Sequence, residues 1–457
     1  MAENKAKISI KVFVDKVKNR VLYAEADHTF VDILFHFLTL PMGTIVRLME
    51  KHDTDKNFEA IGSFNNLYQS LNDLPEFYFP SEECKFMLLN PRSVSYYHCK
   101  NLKLNIDDTV PMRYYTCLSC LNKPFTVFFS FCNKAKCSHC GSVMNSPRNY
   151  YPDDIVGGGV FVSDTATYIV TDDLSVLPYT SESVFNLLTS IGVTDMSHLE
   201  ERNLFMNRQQ VLYLLNMALT LDSPLTHFVF HSNKPVIYLG CSCHATTFGQ
   251  CDLAKKEASK NIGKILLKVS LQKSTGKFLF AETSQDFVDF VFGFLSLPLG
   301  TIIGTLMNGA SSICSMDNLY KSISNLRSKG YLIRSQEIRD MLVKPHFGQE
   351  YSSINQIFPI TASATSWELD GRYYDPKDPR IKDVYLKKSG VFFVTNDLVI
   401  TPASSPLAMN TLNKLKVSFD DVKRVKICIG LEEALRMLKA SLVTTSTLTA
   451  CFENELK

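Results

Sequence analysis

The residues best suited to chemistry lie between Cys117 and Gly141, CLSCLNKPFTVFFSFCNKAKCSHCG, where two Cys-x-x-Cys pairs flank a phenylalanine-rich run. Sixteen residues separate the pair Cys117 and Cys120 from the pair Cys137 and Cys140, a spacing in the range of a four-cysteine zinc site. Two residues between the sulfurs let the backbone curl into a knuckle that aims both thiolates at one tetrahedral centre. Gly141 suits the tight turn, because glycine accepts positive φ without steric cost. The run from Phe125 to Phe131 predicts a strand between the knuckles, which gives the outline of a zinc ribbon over about residues 113–148. A set of buried free thiols is the alternative, but packing rarely produces two such pairs, and a thioredoxin-like redox pair lacks its βαβ context. Cys132 and His139 are spare donors. Four thiolates fill the coordination sphere of Zn2+ and leave no open position for water or substrate, so the expected role is structural.

Other candidates are weaker. Cys241, Cys243, His244 and Cys251 could hold a second metal, although their spacing fits no common template, and a loose linker with incidental thiols is the plainer reading. Gly157-Gly158-Gly159 precedes a hairpin rather than opening a helix, which favours a turn over a phosphate cradle. Glu25 and Asp32 recur as Glu282 and Asp289; a carboxylate pair can do acid–base work, but a strand-end charge and a helix-start acid explain them as well. His28, His36, His52, His98 and His139 form no Cys/His or Ser/His/Asp arrangement, and Trp367 reads as packing. Around the knuckles, Lys123, Lys134, Lys136 and Arg148 stand beside the aromatic run and are possible nucleic-acid contacts; equally, the phenylalanines pack the ribbon and the lysines keep it in solution.

The elements that must position these residues occur twice. IKVFVDKVKNRVLYAEADHTFVDILFHFLTLPMGTI, from Ile10 to Ile45, returns as LKVSLQKSTGKFLFAETSQDFVDFVFGFLSLPLGTI from Leu267 to Ile302, with nearly half the positions identical. Asn66-Leu67-Tyr68-x-Ser70 returns as Asn318-Leu319-Tyr320-x-Ser322, and Val170-Thr171-Asp172-Asp173-Leu174 as Val394-Thr395-Asn396-Asp397-Leu398. Order and spacing match, so the chain reads as a tandem duplication with a period of roughly 250 residues, too long for a solenoid. The expected modules are 7–230, carrying the ribbon, and 262–457, lacking it, joined by a linker over 231–261. Within each module, Ile8, Ile10, Val12 and Val14 alternate as a half-buried strand, and Val21 to Ala24 complete a hairpin. Phe30, Ile33, Leu34, Phe37 and Leu38 fall on one helical face, which Leu40-Pro41 ends. A helix from Thr44 to Lys51, a hairpin around Val160 to Val170, and helices from Ser181 to Ser190 and Asn207 to Thr220 follow. The fold class is α+β, since strands and helices do not alternate as a doubly wound sheet requires.

Composition bounds the function. The 457 residues are 45% hydrophobic and 21% charged, the balance of a globular protein, and a formal net charge of +2 gives no global pull toward nucleic acid or acidic lipid. No apolar run reaches the roughly 18 to 20 residues of a membrane span, and the polar N-terminus lacks a secretory core, so a cytosolic or nuclear residence is expected. In a reducing compartment, thirteen cysteines read as buried thiols and a metal site. Phe30-Val31-Asp32, Leu40-Pro41-Met42-Gly43-Thr44, their recurrence and the CxxC…CxxC insert together resemble the plant family known as domain of unknown function 674. That resemblance spans nearly the whole chain and implies a plant protein; it transfers no activity or catalytic residue. The leading expectation is a non-enzymatic interaction or scaffold protein with protein partners, then a nucleic-acid binder through the ribbon, then an enzyme with a site between the modules.

Overall fold

The computed structural model describes residues 7–53, 58–93, 95–109, 113–120, 126–130, 133, 136–137, 139–149, 159–193, 195–231, 265–332, 340–342, 345, 348, 351–360, 367–369, 372–377, 384–387 and 390–452. Two five-stranded antiparallel sheets form its frame. The first runs Val176–Pro178, Tyr168–Thr171, Arg20–Ala26, Ile8–Asp15, Leu199–Met206, and the second runs Ile400–Pro402, Val391–Val394, Phe278–Ser284, Ile265–Gln272, Val422–Ile429. Each position in one order has its sequence counterpart in the other. Alternation explains the inner faces: Ile8, Ile10, Val12 and Val14 are all buried, as are Ile265, Leu267, Val269 and Leu271. The later hairpin of the first half joins Tyr168–Thr171 to Val176–Pro178, beyond the expected Val160–Val170, because Val160 to Val162 are held as an anchored loop described below.

The helix His28–Thr39 is capped by Asp27, whose carboxylate accepts from the Thr29 N–H at 3.0 Å, and it stops at Leu40 before Pro41. Every residue from Phe30 to Thr39 is buried, so this helix is surrounded rather than amphipathic. Its counterpart Gln285–Phe292 breaks into a 3-10 turn at Gly293, where the first half carries His36. Glycine weakens an α-helix there and tolerates the tighter turn.

The Leu-Pro segments then meet each other across the two halves. Met42 donates its N–H to the Leu297 carbonyl at 3.0 Å and Leu299 donates to the Leu40 carbonyl at 2.9 Å, bringing Pro41 opposite Pro298. A Cβ on Gly43 would lie 3.1 Å from the Leu295 carbonyl oxygen, and one on Gly300 2.9 Å from that of Leu38. Each glycine is therefore hemmed in by the opposite half on one side and by a proline of its own half on the other, since Pro91 and Pro345 would each lie 2.9 Å from the added atom. Thr44 donates its hydroxyl to the Pro91 carbonyl at 2.5 Å, and Thr301 donates to that of Pro345. Every residue of Leu-Pro-x-Gly-Thr thus has a structural use at the seam.

Beyond this seam the halves exchange helices. Phe64–Asp73 packs against the strand Ile400–Pro402 and the helix Gln285–Phe292, while Cys314–Ser328 packs against Val176–Pro178 and His28–Thr39. Asn66 donates to the Asp397 carbonyl and carboxylate, both at 3.1 Å, and Asn318 donates to the same groups of Asp173 at 3.4 and 3.0 Å. Both acceptor turns hold a buried leucine at positive φ, Leu174 at 60° and Leu398 at 61°. That conformation is costly for leucine, and the threonine hydroxyls bracing each turn, Thr171 to Ser175 N–H and Thr395 to Val399 N–H at 2.9 Å each, over-determine it. One continuous apolar cluster includes residues of both sheets and both sets of helices. The linker expected at 231–261 lies, beyond His231, outside the described residues, and elements within 60–92 and 310–332 pack against elements of the other half.

Candidate metal centre

A third five-stranded sheet positions the cysteines. Its order is Trp367–Leu369, Arg372–Lys377, Thr126–Ser130, Arg113–Thr116, Ser146–Asn149. Arg113-Tyr114-Tyr115 and Arg372-Tyr373-Tyr374 are sequence counterparts, and they flank the same strand: Thr116 opposes Phe129 antiparallel, while Tyr374 runs parallel beside Val127. The sequence reading gave this element to the first half alone. Two of its strands come from the second half, which carries no cysteine there but supplies backbone partners for Thr126–Ser130. The edge of an isolated ribbon would be left unpaired, and the second half covers it.

The strand Arg113–Thr116 delivers the chain to Cys117, and a 3-10 turn over Leu118–Cys120 folds the first knuckle, with Cys120 N–H donating to the Cys117 carbonyl at 3.1 Å. The second knuckle is a tight hairpin: Lys136 bridges Val143, the Gly141 N–H donates to the Cys137 carbonyl at 2.8 Å, and Gly141 has φ +72°. The turn thus needs glycine for the reason the sequence suggested.

All four sulfurs lie within 4.8 Å of one another. Cys117 and Cys140 approach to 3.3 Å and Cys120 and Cys137 to 3.9 Å. With Zn–S bonds of about 2.3 Å, a tetrahedral site requires sulfur–sulfur edges of roughly 3.8 Å, so the set matches a shared ion. None of the four is in a disulfide, which needs about 2.05 Å. Cys117, Cys120 and Cys137 are buried with Met144 beneath them, and Cys140 is exposed at the rim. Burial pushes the Cys120 thiol up to about 12 and raises Cys117, while hydrogen bonds from Ser142 bring Cys140 down to about 6. A divalent cation bound at the centre would favour the thiolates over the thiols and offset half of their charge. The four cysteines could therefore hold a metal ion.

The other candidates separate clearly. Asp32 lies past the first turn of its helix rather than in it, and is buried: its carboxylate accepts the N–H groups of Val160, Phe161 and Val162 at 2.8, 2.8 and 3.0 Å. Burial raises its pKa, and the three amides only partly oppose that. Asp289 does the corresponding work, accepting from the N–H groups of Tyr385 and Leu386, the Ser353 hydroxyl and the Asn355 amide. Both carboxylates are saturated with protein donors and pin a chain segment behind the helix. Glu25 and Glu282 sit on the outer sheet faces, at Lys11 and Lys268 in register. Gly159, the described member of the glycine triplet, cannot take a side chain, since its Cβ would fall 2.1 Å from the Val162 carbonyl oxygen.

Lys136 and His139 are exposed at the second knuckle, and Arg148 pairs through its backbone with Tyr114. Lys123, Cys132, Lys134, Cys241, Cys243, His244 and Cys251 lie outside the described residues. A cluster that sequence reading missed is His36, Thr39, Cys99 and Asp107. His36 Nδ1 lies 3.0 Å from the Thr39 hydroxyl, which lies 3.9 Å from the Cys99 sulfur, all buried. Burial pushes His36 down to about 4, against the pull of Asp107, and pushes the Cys99 thiol up.

Among the described residues no helix is long and apolar enough to cross a membrane. Three sheets, exchanged helices and a four-thiol site define an α+β protein with a potential metal centre. The chain belongs to the family described as Protein of unknown function (DUF674), which matches over residues 4–432 and 376–456. No curated protein matches it, and no solved structure does.

Proposed function

We propose that this chain is a non-enzymatic interaction protein built by tandem duplication, whose cysteine site holds a structural zinc ion in a ribbon. The observation that carries the reading is the use made of the repeated motifs. Leu-Pro-x-Gly-Thr, Asn-Leu-Tyr-x-Ser and both buried aspartates are engaged in joining the halves or pinning their loops. Equal strand order and reciprocal contacts support descent of the halves from one module. Four thiolates at tetrahedral spacing support a closed zinc site that braces the third sheet. The result is a rigid body whose unlike surfaces are left for partners. Residence in the cytosol or nucleus of a plant cell belongs to the same reading.

Affinity purification of the intact chain, with metal analysis and mass spectrometry of what is retained, tests it. The expected result is zinc near one equivalent per chain and protein partners that survive raised salt. Absence of zinc overturns the metal site. Retention of nucleic acid that falls steeply with salt transfers the role to the ribbon's basic residues.

A further inference from the structure

We propose that a groove on the outer face of the second sheet docks an acidic, extended segment of a partner protein, which inserts an apolar side chain. This deepens the interaction reading above and rests on it. The case begins with a single cross-strand row. In the first sheet it reads Glu201, Phe13, Tyr23, Thr171, and in the second the same row reads Arg424, Ser270, Phe280. Phe13 stacks on Tyr23 with ring centroids 4.6 Å apart, and Glu201 pairs with Lys11 at 3.3 Å. At this row the first face is therefore filled by its own aromatic, and Glu201 is paired.

In the second sheet Ser270 removes the phenyl group. Phe280 stacks sideways on Phe393 at 4.6 Å, and a groove of about 520 Å³ opens between this pair and the helix Ser405–Leu415. Met409 and Phe419 flank it with 51% and 68% of their surfaces exposed, and Arg424 stands at its mouth. The aromatic floor and apolar walls suit an inserted apolar side chain, and Arg424 and Glu282 are the charged groups that line the groove.

Charge and backbone name the partner's chemistry. Lys426 opposes Lys268 on this face, so with Arg424 there are three cations, and Glu282 opposes Lys268 from the other side. The strand Val422–Ile429 pairs with Ile265–Gln272 on one side, and its other edge has no strand partner among the described residues. Such an edge offers a row of amides and carbonyls to an added strand, and its cations reject a basic strand while admitting an acidic one. A second copy is poorly suited: its outer strand Leu199–Met206 holds Glu200 and Glu201 in ion pairs with Lys16, Arg202 and Lys11.

Panning a phage-displayed library of random peptides on the intact chain provides the test. Enriched peptides should be net acidic with an aromatic or branched aliphatic residue. A synthetic peptide of the leading sequence should bind at least about tenfold more weakly to Ser270→Phe, which restores the missing ring, and to Arg424→Glu, an exposed substitution that spares the fold. Neutral or basic enriched sequences, or binding indifferent to both substitutions, overturn the proposal. Concentration-dependent dimerisation abolished by Ser270→Phe also overturns it, giving the face to a second copy. Repeating the affinity purification with Arg424→Glu separates the two claims: partners retained unchanged defeat the groove alone, and no partner with either chain defeats the interaction reading.

Discussion

At the seam the two halves make the same contacts, while the space behind each Phe-Val-Asp helix differs. Gly43 and Gly300 face Leu295 and Leu38 in the same manner, and Thr44 and Thr301 reach Pro91 and Pro345. One helical turn away, His36 in the first half stands where the second half has Gly293, whose hypothetical Cβ would come within 3.8 Å of the Tyr385 ring. Tyr385 fills that space from outside the helix and donates its hydroxyl to the Tyr351 carbonyl. The contrast has a steric cause. A change at the seam is felt in the other half, so the two halves constrain each other. Away from the seam each copy repacks alone, and a side chain contributed by the helix in one half can be replaced by a ring contributed by a loop in the other.

The largest effect should fall where the halves differ most, at the third sheet. Structural zinc contributes about 10–16 kcal/mol of apparent binding energy in small zinc-finger peptides. With zinc bound as proposed, chelation or Cys117→Ser should deprotect the amides of Arg113–Thr116 and Arg372–Lys377 in hydrogen exchange. The strands Ile8–Asp15 and Ile265–Gln272 should keep their protection. Loss of protection in all three sheets together would mean that the metal site supports the entire body.

Next come the paired aspartates. Asp32→Ala strands three buried N–H groups and should cost about 3–5 kcal/mol in chemical denaturation, with Asp289→Ala of similar size. The asparagine variants sharpen the comparison. In Asp32→Asn an amide faces backbone N–H donors that cannot reverse, whereas in Asp289→Asn the Ser353 hydroxyl can rotate to accept. Asp32→Asn should therefore be the more damaging of the pair, and equal losses would show that the surroundings rearrange around either residue.

A histidine-linked pH effect belongs to the first half, because the counterpart of His36 is Gly293. Burial holds the His36 folded-state pKa down at about 4, against about 6.5 for a free imidazole, with Asp107 opposing the shift and Cys99 and Thr39 completing the cluster. The unfolded chain binds the extra proton first, so this contribution is present above pH ~6.5 and declines as pH falls toward ~4. Its full extent is on the order of 3 kcal/mol. His36→Gln should flatten that part of the stability–pH curve, measured by denaturant titrations across the window. An unchanged slope would assign the acid sensitivity elsewhere.

Much of this frame was legible in the sequence because it was written twice. Period-two alternation located the strands at Ile8 and Ile265, proline located the helix ends, and paired Cys-x-x-Cys located the sulfurs that could hold a metal. The chain could not disclose which half each repeated motif serves. Asn66 and Ser70 carry no mark that their partners are Asp397 and Ile400, because a reciprocal exchange leaves the same local pattern as docking within one module. Asp32 is opaque for a related reason: a carboxylate early in a helical pattern reads as a helix-start acid until its three amide donors, more than a hundred residues away, are in view. His36 was passed over because its neighbours Cys99 and Asp107 arrive from a segment with no periodic signature.

The smallest predicted effect is the most exacting test of the seam. Ser70 accepts the Ile400 N–H at 2.9 Å and donates to the Asn66 carbonyl, and Ser322 accepts the Val176 N–H at 2.8 Å and donates to the Asn318 carbonyl. Removing either hydroxyl leaves a buried amide unpaired, so Ser70→Ala and Ser322→Ala should each cost about 1–2 kcal/mol, agreeing within about 0.5 kcal/mol. The two serines share no hydrogen-bond partner, so local damage should add in the double variant. A loss well beyond the sum would reveal that one serine props the other through the paired Leu-Pro segments, making the halves a single cooperative unit. Unequal single costs would show that the exchanged helices, though docked alike, do not bear the same share of the joint.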